Sequence, residues 1–149
     1  MADTYTGTCY CGAATVTVEG PPLMAGLCHC YSCRKWHAAP INAFAAWPAE
    51  KVVITGDVIE TDVNPVSVRT SCAKCGSCIA NGKPKRGTVV VYPMALAGSN
   101  VPYKPTLNLF YEERVMDVAD GLPKFVNGPK AIGGSGEKVA EPERSGWRV

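Results

Sequence analysis

No apolar run in this sequence approaches the ~18 residues that a membrane-spanning helix requires. Blocks of one sign of charge are also missing: the formal net charge is +2, and the KPKR stretch at Lys83 to Arg86 is the one short basic candidate. The first absence excludes a helical membrane span. The second argues against a nucleic-acid partner, because such binding draws its affinity from clustered Lys and Arg against phosphate. The opening residues, MADTYTGTCYCG, carry no basic segment followed by an apolar core, so no secretory leader is expected and the cytoplasm is the expected location. Charged residues make up 19% and hydrophobic residues 46%, a balance that excludes global disorder. A length of 149 residues predicts a single domain with a real core.

What the sequence does have is cysteine, eight residues in three tight clusters: Cys9 and Cys11, then Cys28, Cys30 and Cys33, then Cys72, Cys75 and Cys78. Disulfides staple distant segments whose Cα atoms come within about 4.4–6.8 Å, whereas thiolates two or three residues apart converge on one tetrahedral ion. The clustering therefore points to zinc. The economical division joins Cys9 and Cys11 to Cys72 and Cys75 as a closed four-thiolate site, with 60 residues intervening between its halves. Such a site clamps the N-terminal segment against the middle of the chain and acts as a folding staple. The CHCYSC run supplies Cys28, Cys30 and Cys33 with no obvious fourth ligand, which predicts a second, open zinc. Inert packing of some thiols remains the alternative, since free cysteine is often simply a small buried hydrophobe. Cys78 reads as a non-ligand that is nonetheless placed to swap into the first site.

The apolar pattern is mostly of period two with frequent turn residues, which predicts short antiparallel strands. They fall at Thr15 to Glu19, Leu23 to Cys28, Ile41 to Trp47, Val52 to Thr55, Val66 to Thr70, Thr88 to Tyr92 and Thr106 to Tyr111. Tyr31 to Ala38 has room for a helical turn, and KPKR reads as a turn between strands. From Asn127 the chain is rich in Gly, Pro and charge, so a mobile tail over 127–149 is expected after a folded domain over 1–126.

GTCYCG, LCHCYSCRK, CAKCGS and DGLPKF, in this order and at these separations, resemble the glutathione-dependent formaldehyde-activating enzyme family, which also includes centromere protein V. The resemblance spans roughly residues 5 to 126. It implies a mainly β fold, a β-tent of short antiparallel sheets pinned by a four-cysteine zinc, with a second zinc on the three-cysteine loop. It further implies a carbon–sulfur lyase or synthase that adds glutathione or a similar thiol to formaldehyde, or runs the reverse cleavage. Ser71, Asn108 and Val115 depart from the family, where an aromatic residue, His and Trp are common; such neighbours bear on substrate more than on fold. Cys28, Cys30 and Cys33 are the expected catalytic group. Arg34 and Lys35 follow directly and are expected to meet substrate carboxylates, and Trp47 is expected to help wall a pocket. His29 and His37 are candidates for moving a proton. Two other functions fit the same architecture: a zinc-stabilised interaction module without catalysis, and a thiol-redox enzyme with Cys78 or Cys33 as nucleophile.

Overall fold

The computed structural model describes residues 1–148; Val149, the last residue of the expected tail, lies outside them. In chain order the strands are β1 (Thr4–Thr8), β2 (Ala14–Glu19) and β3 (Met24–Cys28), followed by helix α1 (Tyr31–His37). Then come β4 (Asn42–Pro48), β5 (Val52–Gly56), β6 (Val58–Asn64), β7 (Ser67–Cys72), β8 (Cys78–Lys83) and β9 (Thr88–Val91). The short strands β10 (Asn108–Leu109), β11 (Met116–Asp117), β12 (Lys124–Phe125), β13 (Lys138–Val139) and β14 (Gly146–Trp147) complete the chain. The fold is mainly β with one helix, as the alternation predicts.

Where length predicts one domain, the chain divides into two compact units, each built from separated segments. Met1–Met24 with Phe44–Tyr103 form the first, and Ala25–Ala43 with Lys104 onward form the second. The expected boundary after residue 126 has no counterpart in this division.

In the first unit β2 lies between β1 and β5, antiparallel to both, with Thr8 opposite Thr15 and Ala14 opposite Gly56. The odd-and-even pattern of ATVTVE buries Ala14, Val16 and Val18 on one face, as a half-buried strand requires. Gly7 admits no side chain, since a Cβ there would lie 2.0 Å from the carbonyl oxygen of Ala95. A second antiparallel array runs β6, β7, β8, β9, β4, with Ala80 facing Val91 and Trp47 facing Val89. The core here includes Trp47, Ile79, Ala80, Val91 and Leu96. KPKR is a 3-10 turn at Pro84–Arg86 between β8 and β9, as expected.

The second unit departs from the antiparallel expectation. Its β10 runs parallel to both β3 and β12, pairing Asn108 with Leu27 and with Lys124. The long excursion between β3 and β10 leaves room for the crossover that parallel pairing needs, whereas a hairpin would have enforced the antiparallel sense. Residues beyond Asn127, expected as a mobile tail, are tied back by strand pairing. Phe125 pairs with Lys138, and Met116 pairs with Trp147, whose ring stays 67% exposed.

Candidate metal centres

The four-thiol group lies wholly in the first unit, where Cys9 and Cys11 follow β1 and Cys72 and Cys75 border the β7–β8 turn. The two turns are built alike. Gly12 N–H donates to the Cys9 carbonyl at 3.1 Å and Gly76 N–H to the Cys72 carbonyl at 3.0 Å, and both glycines have left-handed φ, +80° and +74°. A glycine after each cysteine pair is thus demanded by the backbone, because a side chain resists that conformation. Backbone N–H groups point at the sulfurs: Ala14 donates to Cys9 Sγ at 3.3 Å, and Lys74 and Cys75 donate to Cys72 Sγ at 3.4 and 3.5 Å.

All four sulfurs lie within 4.8 Å of one another. A tetrahedral ion held by thiolates at about 2.3 Å sets its sulfurs about 3.8 Å apart. Cys9 to Cys11 measures 3.6 Å and Cys11 to Cys72 measures 3.8 Å, so the donor set fits an ion of zinc's size. The proton affinities diverge within the group. The Ser77 hydroxyl, 3.1 Å from Cys75 Sγ, and the Ser77 backbone hold the Cys75 thiol down at about 5. For Cys11 the Ala13 backbone pulls downward, but desolvation and the Cys75, Cys9 and Cys72 sulfurs outweigh it and push the thiol up to about 11. Four thiolates crowded this closely need a cation to share.

The three-thiol group belongs to the second unit. Cys28 ends β3 and is buried; Cys30 is the N-cap of α1, its Sγ accepting from Cys33 N–H at 3.3 Å; Cys33 lies in the first turn. Their sulfurs also lie within 4.8 Å of one another, and among the described residues no fourth Cys, His, Asp or Glu joins them. His29 sits between two of these cysteines in sequence yet outside the group. Hydrogen bonds from Cys30 and Cys33, followed by burial, push the Cys28 thiol far above its ordinary value. Cys30 is also raised: the contact with Cys28 lowers it, but Cys33 and burial win.

Around this loop, Arg34 donates from Nε to the His29 carbonyl at 3.0 Å and from Nη2 to the Glu113 carbonyl at 2.9 Å. The Glu113 carboxylate accepts from Tyr31 N–H at 2.6 Å, so the first N–H of α1 is satisfied. Lys35 is exposed, with its Nζ 6.0 Å from the Tyr31 ring. Trp47, expected at a pocket wall, is instead packed inside the first unit, 1% exposed, with its indole N–H on the Gly20 carbonyl at 2.9 Å. Cys78 opens β8, half-buried, and joins neither group.

Sequence reasoning missed the bed beneath the three-thiol loop. The His29 ring is fully buried, edge-on to Tyr111 at 4.8 Å, with Nε2 2.7 Å from Asn108 Oδ1. Asn108 in turn reaches Asp120, which meets Lys124, which meets Glu141. DGLPKF holds two members of this chain, and that motif was the available signal.

Comparison with known proteins agrees with the cysteine geometry. None of the curated proteins matches the chain. The crystal structure of a Rhodobacter sphaeroides protein is similar at 24% identity, covering 66% of this chain and 99% of that one with a TM-score of 0.50, a likeness of fold alone. The profile described as glutathione-dependent formaldehyde-activating enzyme matches residues 4–113, which include all seven cysteines of the two groups. This chain belongs to the glutathione-dependent formaldehyde-activating enzyme family.

Proposed function

We propose that this protein is a zinc-dependent carbon–sulfur lyase or synthase that joins a glutathione-like thiol to a small aldehyde, or cleaves the adduct. The observation that carries the reading is the grouping of Cys28, Cys30 and Cys33 without a fourth ligand among the described residues, because a three-ligand set leaves a coordination position for substrate where a four-ligand set does not. When bound there, zinc supplies a site at which an incoming thiol loses its proton near neutral pH and is held in place. In the forward direction a sulfur–carbon bond forms at the aldehyde carbon, and the proton lost by the thiol ends on the former carbonyl oxygen.

The chain's own residues give this chemistry its setting. Cys33 N–H and the start of α1 stabilise negative charge on Cys30 Sγ. Lys35 offers a positive charge to a substrate carboxylate, and Arg34 adds charge more than a bidentate fork, because two of its donors are committed to carbonyl oxygens. Cys9, Cys11, Cys72 and Cys75 would hold a structural zinc in a β-tent architecture, and a reducing compartment such as the cytoplasm would keep these thiolates intact.

Native mass spectrometry of protein purified without chelator, with and without glutathione, tests the reading. Two zinc ions per chain and a glutathione adduct are expected, and Cys30→Ser should lose one zinc, the adduct and turnover together. One zinc and no adduct would overturn the mechanism and leave a zinc-stabilised binding module.

A further inference from the structure

Behind the three thiols runs a chain of hydrogen bonds whose polarity is fixed at one end by charge. Lys124, with a side chain 1% exposed, donates to Asp120 Oδ1 at 2.7 Å, to Glu141 Oε2 at 2.5 Å and to the Leu122 carbonyl at 3.1 Å. Its three ammonium hydrogens are thereby spent. Asp120 also accepts from Leu122 N–H at 3.0 Å. Burial alone would raise its carboxyl, yet Lys124 and Asn108 hold it ionised below its ordinary value.

An ionised carboxylate only accepts, so Asn108 must turn its NH2 toward it, and Nδ2 lies 3.1 Å from Asp120 Oδ2. The amide oxygen is then forced toward His29 Nε2, 2.7 Å away. A carbonyl oxygen only accepts as well. The hydrogen therefore sits on Nε2, and Nδ1 keeps its lone pair in a buried position without a hydrogen-bond partner among the described residues. The opposite amide orientation would set the amide oxygen against the Asp120 carboxylate, lone pair against lone pair.

His29 is also the residue that joins Cys28 to Cys30. Its N–H donates to the Leu109 carbonyl at 3.0 Å, and its carbonyl accepts from Arg34. With the ring held at Nε2 and edge-on to Tyr111, the residue is fixed at both backbone and side chain. We propose that Asp120 is a positioning residue for the three-thiol site: it orients the Asn108 amide, the amide selects the Nε2–H tautomer of His29, and the clamped histidine sets the loop on which Cys28 and Cys30 converge. This inference rests on the reading that the three thiols hold a metal ion. Asp120, Lys124 and Glu141 lie beyond the matched residues 4–113, although Asp120 and Lys124 stand in the DGLPKF motif of the resemblance.

The test uses the full chain. Long-range proton–nitrogen correlation spectra at neutral pH read the tautomer of each histidine directly, and His37→Gln assigns the signals, since the chain has only two histidines. Wild-type His29 is expected as Nε2–H. In Asp120→Asn the neighbouring amide is free to flip, so Nδ1–H should become populated, and cobalt(II) affinity at the three-thiol site, followed by its thiolate absorption, should fall about tenfold or more. Nδ1–H in the wild type overturns the inference without any variant, even if Asp120→Asn does not fold. Unchanged cobalt affinity in a folded Asp120→Asn overturns it too. Cobalt binding at the four-thiol site alone would sink the functional reading, while the tautomer would still report on the hydrogen-bond chain.

Discussion

Lys124 is a cation with almost no access to water, and its two carboxylate partners decide whether that position is tolerable. Asp120 and Glu141 both sit below their ordinary values. For Asp120, burial pulls the other way but Lys124 and Asn108 prevail; for Glu141, Lys124 is the main cause. Their contribution is complete above the ordinary carboxylate range and is lost as pH falls through the lowered values. Lys124 is raised, since Asp120 and Glu141 overcome its desolvation, and its contribution is complete below the ordinary lysine range and is lost as pH climbs through the raised value. The contribution of this network to thermal stability should therefore be flat across neutrality and fall below about pH 4 and above about pH 10. Lys124→Met should cost roughly 2–3 kcal/mol in urea unfolding, below the cost of breaking a fully buried pair, because the carboxylates keep some water. It should also weaken both pH limbs. An unchanged urea midpoint would mean that the network contributes nothing to stability.

Helix α1 is short and carries the three-thiol loop, yet its C-cap is not ideal. Ala38 occupies the left-handed region at φ 49° and ψ 41°, and its N–H closes on the Arg34 carbonyl. Glycine is the natural residue at such a cap, so Ala38→Gly should stabilise the protein by about 1 kcal/mol in urea unfolding, and no gain would argue that the cap is unstrained. The helix itself was legible in the sequence, as were β2, β3, β4, β5 and β9, because alternation and turn residues bound them on both sides. By contrast β1 and β8, TYTGT and CIANGK, lack an alternating apolar signal; neighbouring strands supply their pairing. Both thiol groups were readable because their spacing is local or mirrored. The His29 to Asn108 contact spans 79 residues of sequence, and no pattern in either residue announces the other.

Each thiol group is contained within one of the two compact units, so metal at one group bears first on the stability of its own unit. The four-thiol group links Cys11 to Cys72, 61 positions apart, and removing a metal clamp across so long a loop restores much chain entropy. Strong chelation should therefore produce two calorimetric transitions in place of one, the lower belonging to the first unit, and Cys72→Ser should give the same profile without chelator. A single unshifted transition would show that the thiols stabilise without metal.

The segment order of the two units also sets a timetable during synthesis. Once Cys75 leaves the ribosome, every ligand of the four-thiol group is available, and that unit needs only the chain to Tyr103. Cys28, Cys30 and Cys33 emerge earlier than that, but Asn108, Asp120, Lys124 and Glu141, which brace their loop, are translated only afterwards. At ordinary elongation rates the interval is on the order of several seconds. For that time the thiols are nascent chain without a bed, exposed to oxidants and to stray metal, so CHCYSC waits on residues translated well after it to brace its loop.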